Sequence, residues 1–264
     1  MSTNKALKIC KIILIVFYLF KPQISSAKDQ SLIEIKVDFE KKTYFISEPI
    51  VANITITNSG TSSVSFDCQH LNFSTEVEIK IEAEDKNKIE IYKQKAGLAY
   101  GMVTSVKIQP NSSYKYDLMI NNYIKFKETG IFKFKFSYTI HYEAENSPKF
   151  NKKEINQNIE LEILPNDIVA LDKIFGDLYQ DTLSIKKEKL DSGTIRLCAV
   201  TDPLVLKYLE LMAQSKDSAI KISVFSALEK FGKEAKPSLE KIIKDPVVGS
   251  GAKSKAADIL KKLE

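Results

Sequence analysis

The sequence has little of the chemistry from which most active sites are built. It contains no tryptophan, two histidines, three cysteines and one arginine among its 264 residues. It also lacks a G-x-S-x-G element, a glycine-rich phosphate loop, an H-E-x-x-H pair and an aspartate-rich calcium loop. We therefore expect a protein that is not an enzyme and that has no catalytic, metal-binding or cofactor-binding residues.

Histidine and cysteine are too sparse to suggest a metal site. Cys68 and His70 lie two residues apart, on one face of a strand, without two further ligands nearby. Such a pair is usually structural. Cys68 and Cys198 fall in different predicted domains. In an oxidising compartment they could form a disulfide, and the alternative is two separate buried thiols.

Long apolar runs are scarce, and the one at residues 12–20 is short. Its nine residues would span roughly 14 Å as a helix, against a bilayer core of roughly 30 Å. Lysines precede it and small residues follow it at positions 25–27. This order is typical of a signal peptide. We predict cleavage after Ala27, export to the periplasm or the extracellular space, and no stable membrane span afterwards.

An excess of positive charge is also missing once that peptide is removed. The net charge of +5 includes four lysines within residues 1–27, which contain no acid, so 35 basic and 34 acidic residues remain. The only arginine, Arg196, leaves few bidentate contacts for bases or phosphates. The sequence therefore argues against a nucleic-acid partner.

Residues 28–165 show the two-residue alternation of strands. The organising stretch is 44–60, where apolar side chains from Ile50 to Ile56 alternate with polar ones between two turns. The longest apolar stripe runs from Phe132 to Tyr142, and we interpret it as core. Eight or nine short strands with frequent turns predict an antiparallel β-sandwich.

Three motifs of this segment resemble those of bacterial exported immunoglobulin-like domains. They are Glu48-Pro49-Ile50, Asn58-Ser59-Gly60 and Thr129-Gly130-Ile131-Phe132. The resemblance implies an immunoglobulin-like sandwich over residues 31–165. A looser likeness is to the proteinase-inhibitor type of bacterial immunoglobulin-like domain. These motifs are folding signals and identify no site residue.

Residues 166–264 change to a helical period and predict six helices. Val224, Ala227, Leu228 and Phe231 recur as Ala256, Ile259, Leu260 and Leu263 after 32 residues. The segment from Ala227 to Pro246 resembles a HEAT-like repeat, with one helix ending at Gly232 and the next beginning at Pro237. We predict an α+β chain of segregated domains, a sandwich followed by an all-α HEAT-like hairpin stack. The alternative is a small helical bundle without repeat geometry.

Two functions are compatible with this organisation. In the favoured one, the sandwich is a scaffold and the helical repeats bind a protein partner. The candidate partner surface is formed by Lys221, Ser223, Lys253 and Lys255. In the alternative, the protein is an inhibitor or binding accessory of an extracytoplasmic enzyme and acts through sandwich loops at residues 69–75 or 94–102.

Overall fold

The computed structural model describes residues 32–68, 77–84, 87–92, 104–145 and 147–263, without the side chains of residues 67, 68, 77, 104 and 147–150. Eleven strands precede six α-helices in these segments. The strands are β1 (Ile33–Phe39), β2 (Thr43–Phe45), β3 (Val51–Asn58), β4 (Val64–Cys68), β5 (Val77–Ala83), β6 (Ile89–Ile91), β7 (Thr104–Ile108), β8 (Ser112–Met119), β9 (Ile124–Phe126), β10 (Gly130–Ala144) and β11 (Ser147–Leu164). The predicted signal peptide lies outside the described residues.

The strands form a sandwich, as predicted. One sheet has the order β1-β3-β8, and the other has the order β2-β11-β10-β4-β7, with β5 also paired to β10. Strands β6 and β9 form a separate pair. Phe39 of the first sheet makes edge contacts with Phe134 and Phe136 of the second, at ring distances of 6.2 and 6.3 Å. The apolar stripe of β10 thus lies in the core between the sheets.

Two features of the second sheet depart from the prediction. Strand β11 runs for 18 residues, whereas the sequence predicted short strands. Its polar first half pairs with β10 in an antiparallel register that is continuous up to Glu143 and Phe150 and then shifts before the pair Ala144 and Ser147. Strand β2 pairs with β11 in parallel, so the sandwich is not purely antiparallel.

The organising stretch, residues 44–60, is stabilised by the hydrogen bonds of buried polar side chains. Glu48 is almost fully buried, and its carboxylate accepts hydrogen bonds from the Lys41 ammonium and from the backbone N–H of Phe45. Asn58 is fully buried and donates to the carbonyls of Ser62 and Ile108. Because buried polar groups need such partners, these bonds account for the Glu and Asn of the two motifs.

The helices are α1 (Ile168–Thr182), α2 (Lys187–Ala199), α3 (Leu206–Met212), α4 (Ser218–Phe231), α5 (Lys236–Lys244) and α6 (Ser250–Lys262). Aspartate side chains cap two of them: Asp167 accepts from the first N–H groups of α1, and Asp217 does so at α4. None of the helices in the described part of the chain is both long and apolar enough to cross a bilayer.

The helices stack as three hairpins in two layers. Successive helices α1 and α2, α3 and α4, and α5 and α6 pack as pairs. One layer contains α1, α3 and α5, and the other contains α2, α4 and α6, with each helix touching the next in its layer. Leu171, Val205 and Leu239, spaced 34 residues apart, are all fully buried in the first layer or the turn leading into it.

The second layer repeats its buried positions at intervals of 30 and 32 residues. Leu197, Ala227 and Ile259 all lie in the helical core. The 32-residue recurrence in the sequence thus marks equivalent core positions on α4 and α6. Its description as HEAT-like stays a prediction.

Candidate partner-binding groove

Helix α2 joins the helical stack to the sandwich through Arg196. The guanidinium donates from Nη1 to Glu40 Oε2 at 3.0 Å and from Nη2 to Glu40 Oε1 at 2.5 Å. Nη2 also donates to Asp117 Oδ2 at 3.0 Å. Only 20% of the Arg196 side chain is exposed. The two carboxylates raise the pKa of Arg196 against the opposing effect of its burial, so the charge persists.

Apolar and polar contacts complete this junction. Val51 and Met119 of the first sheet pack with Ala199 of α2, and the partly buried Ile195 lies against them. Ser192 Oγ donates to Asp117 Oδ2 at 3.3 Å. At a second point, Asp202 Oδ2 accepts from Ser47 at 2.6 Å and from Asn166 at 3.1 Å. The first hairpin is therefore bonded to the sandwich at several positions.

On α4, one repeat after α2, the face that corresponds to the sandwich-facing side of α2 is not covered by the described part of the chain. Counted by the 30-residue interval, Ser192 and Ile195 of α2 correspond to Ile222 and Phe225 of α4. The sandwich covers the α2 pair, whereas Ile222 has 67% of its surface exposed. Phe225 is buried in the helical core.

This uncovered face forms one wall of a groove of about 350 Å³ between α4 and α6. The opposite wall is built of small residues of α6, Gly251 and Ala252, with Lys255 beside them. A Cβ atom placed on Gly251 would meet nothing within 4 Å, so the space above it is open. The lining residues are Ser218, Lys221, Ile222, Phe225, Ser226, Glu229, Gly251, Ala252 and Lys255.

The groove has a positive electrostatic character. Lys221 and Lys255 lie on opposite walls, and within the described segments neither has a salt bridge or a side-chain hydrogen bond. The one acid in the lining, Glu229, accepts from Lys262 Nζ at 3.0 Å and is therefore neutralised. The groove can accommodate an apolar side chain flanked by negative charge.

The structure divides the four predicted surface residues. Lys221 and Lys255 line the groove, whereas Ser223 and Lys253 do not. Ser223 Oγ donates back to the carbonyl of Ala219 on its own helix, at 3.0 Å. The prediction missed Ile222 and Phe225. The three-and-four spacing of apolar residues could not identify them, because it places both on the core side of α4, whereas 67% of Ile222 is exposed.

The other predicted residues form no site. His141 Nε2 lies 3.4 Å from Glu78 Oε1 on the sandwich. Cys198 packs against the helical core, and burial raises the pKa of its thiol to about 12. The Cys68 side chain, His70 and the loops at residues 69–75 and 94–102 lie outside the described residues, so the disulfide stays a prediction. No cluster of three or more potential metal ligands occurs in the described part of the chain.

Sequence comparison identifies the family. The model of the flagellar collar protein C N-terminal domain matches residues 33–164, the segment that forms the whole sandwich. The chain belongs to the flagellar collar protein C family. Family membership indicates a structural, protein-interaction role, and it replaces the broader resemblance to exported immunoglobulin-like domains with a specific family. No curated protein matches the chain in sequence.

Several solved structures are similar to this member of the flagellar collar protein C family over about half of its length. A structural-genomics target named SoR45 is 19% identical, with 53% of this chain and 95% of that chain covered and a TM-score of 0.29. The PapD-like domain 7 of human CEP192 is 12% identical, with 51% and 87% covered and a TM-score of 0.26. AggA, a fimbrial subunit from Escherichia coli, is 10% identical, with 50% and 96% covered and a TM-score of 0.25.

Proposed function

We propose that this chain is a non-enzymatic subunit of a flagellar collar, with the sandwich as scaffold and the helical stack as the surface that binds another protein. The observation that carries the proposal is the uncovered face of α4. The sandwich covers the equivalent face of α2. On α4 the same kind of surface is present, and no part of the described chain covers it.

The end of the stack supports this assignment. The last helix, α6, buries Ala252, Ala256 and Ile259 and exposes mainly lysine, serine and aspartate on its other side. Such a polar face offers less apolar surface to a protein partner than the groove does. The groove between α4 and α6 is therefore a better candidate for a binding surface than the end of the stack.

The proposal includes export from the cytoplasm. It is supported by the basic, apolar and small-residue order of residues 1–27. Signal-peptide cleavage is tested by N-terminal sequencing of the protein from the envelope fraction, where a mature chain beginning at Lys28 is expected and an uncleaved Met1 would contradict export by this route.

Site-specific photo-crosslinking in the native cell tests the location of the binding surface. A photoreactive residue replaces Ile222 or Leu211 on the stack, or Ile131 on the sandwich. Ile131 is a matched control because its exposure of 65% is close to the 67% of Ile222. We expect a partner protein, identified by mass spectrometry, to be captured from the stack positions and not from Ile131.

Two outcomes would contradict the proposal. Capture from Ile131 alone would transfer the binding function to the sandwich. Absence of capture from all three positions in cells with assembled flagella would exclude the stack as a partner surface.

A further inference from the structure

We propose that the groove between α4 and α6 binds an acidic amphipathic helix of the partner protein. The inference rests on the proposed function and specifies what the partner presents. Three properties of the groove carry it: its helical walls, its unpaired lysines and the open space above Gly251.

The helical walls favour a helix over an extended peptide. Most of the lining residues lie inside α4 and α6, where the backbone N–H and C=O groups are already paired, so the groove offers few backbone partners. The exceptions are Ser218 and Gly251, which lie in the first turns of the two helices. An extended segment buried there would leave its own backbone groups unsatisfied, at a cost of roughly 1–3 kcal/mol each in proteins. A helix satisfies its backbone internally. Helix-in-groove recognition uses this arrangement.

The dimensions of the groove suit such a ligand. On α4 the lining residues run from Ser218 to Glu229, about 17 Å along the helix axis, so about three turns of a bound helix can lie beside them. Ile222 supplies the exposed apolar surface of the α4 wall, Phe225 lines it with only 3% of its surface exposed, and Gly251 and Ala252 opposite allow close approach. An apolar side chain from the bound helix can thus fill the space above Gly251.

The charges select an acidic partner. Lys221 and Lys255 line opposite walls of the groove and have no carboxylate partner in the described part of the chain, while Glu229 is already bound by Lys262. A ligand with carboxylates on both sides of its apolar stripe would pair with the two lysines. A basic ligand would be repelled by both, and complementary charge at the rim of an interface decides between such partners.

Three designed peptides of about 20 residues test the inference by fluorescence anisotropy with the purified protein. The first is an amphipathic helix with leucines at i, i+3, i+4 and i+7 and glutamates beside them. The second has lysine in place of each glutamate. The third is the acidic peptide with two central prolines, which prevent helix formation. We expect the acidic helix to bind at least about tenfold more tightly than either of the others at low salt.

Two variants assign the binding to the groove. Gly251→Leu fills the open space and should weaken binding of the acidic helix about tenfold. Leucine also has the higher helix propensity, so unfolding would not explain the loss. Ala257→Leu adds the same side chain on an exposed part of α6 outside the groove and should leave binding unchanged.

Charge reversal gives a signature that a merely structural change cannot produce. The double variant Lys221→Glu, Lys255→Glu should reverse the order of the acidic and basic peptides. Lys221 lies in the first turn of α4, where a negative charge is favourable to the helix. Equal binding of the acidic and basic peptides, tight binding of the proline peptide, or an unchanged affinity of Gly251→Leu would each overturn the inference.

The crosslinking experiment separates this inference from the proposed function. A partner captured from Leu211 in the Gly251→Leu protein as efficiently as in the unmodified one would retain a binding role for the stack and exclude the groove. Absence of capture from any stack position would contradict the proposed function itself.

Discussion

Helices α2 and α4 occupy equivalent places in the stack and have opposite surroundings. The outer face of α2 contains Ser192, Ile195 and Arg196 and is covered by the first sheet of the sandwich. The corresponding face of α4 contains Ile222, Phe225 and Ser226 and opens onto the groove. The core-facing positions of the two helices follow the same spacing. Position in the stack therefore decides which face is internal and which one is free for a partner.

The largest expected effect comes from removing the arginine that distinguishes α2. Arg196→Ala leaves Glu40 and Asp117 without their cation at a partly buried junction, so we expect a loss of about 3 kcal/mol in the free energy of unfolding. Urea denaturation followed by circular dichroism measures it. Arg196→Lys keeps the charge without the bidentate fork and should lose less, about 1–2 kcal/mol. Equal stability of all three proteins would mean that the ion pairs do not hold the junction.

Substitution of Gly193 tests how closely α1 and α2 pack in the first hairpin. A Cβ atom at this position would lie 2.6 Å from the carbonyl oxygen of Leu178 on α1, so Gly193→Ala should destabilise the protein by about 2 kcal/mol. Its equivalent on α4 is Ser223, which already has a side chain. Ser223→Ala is the matched control and should change stability by less than about 0.5 kcal/mol. A stabilised Gly193→Ala protein would show that α1 can move away freely.

A pair of aspartate substitutions compares the two faces directly. Ser192→Asp places a second carboxylate next to Asp117, which Ser192 now contacts at 3.3 Å, so a loss of about 1–2 kcal/mol is expected. Ile222→Asp, at the equivalent position of α4, faces solvent and should cost less than about 0.5 kcal/mol. Thermal unfolding of both variants provides the measurement. Similar losses of stability in the two variants would contradict the conclusion that the sandwich covers this face of α2 and leaves the equivalent face of α4 exposed.

The smallest effect concerns reactivity rather than stability. Cys198 lies at the repeat position taken by Leu228 and Leu260, on the core side of its layer. Because its pKa is raised to about 12, the thiolate fraction at pH 8 should be about a thousandfold below that of a thiol with a pKa near 9. Alkylation should therefore be at least about a hundredfold slower in the native protein than in urea.

Non-reducing peptide mapping of the same protein tests the predicted disulfide. A peptide containing both Cys68 and Cys198 would establish the bond, and fully alkylated cysteines after unfolding without a reductant would exclude it. Rapid alkylation of Cys198 in the native protein would contradict its packing against the helical core.

The period of the apolar residues was enough to predict most elements of this protein. Alternation at two residues placed β1, β3, β5 and the apolar stripe of β10, and spacing at three and four residues placed the helices. These patterns are readable because burial of one face is imposed on each element locally. The 32-residue recurrence similarly predicted equivalent core positions on α4 and α6.

Other features depended on the tertiary structure. The polar first half of β11 has little strand pattern and becomes a strand because β10 offers backbone partners from Phe150 onward in an uninterrupted register. Gly193 lies inside α2 although glycine is unfavourable in a helix interior, because the absence of a side chain at this position allows α1 to approach. The uncovered face of α4 could not be predicted either, since periodicity marks which side of a helix is buried but not whether a distant sheet covers the other side. That depends on where Arg196 meets Glu40 and Asp117, residues more than 75 positions away in the sequence.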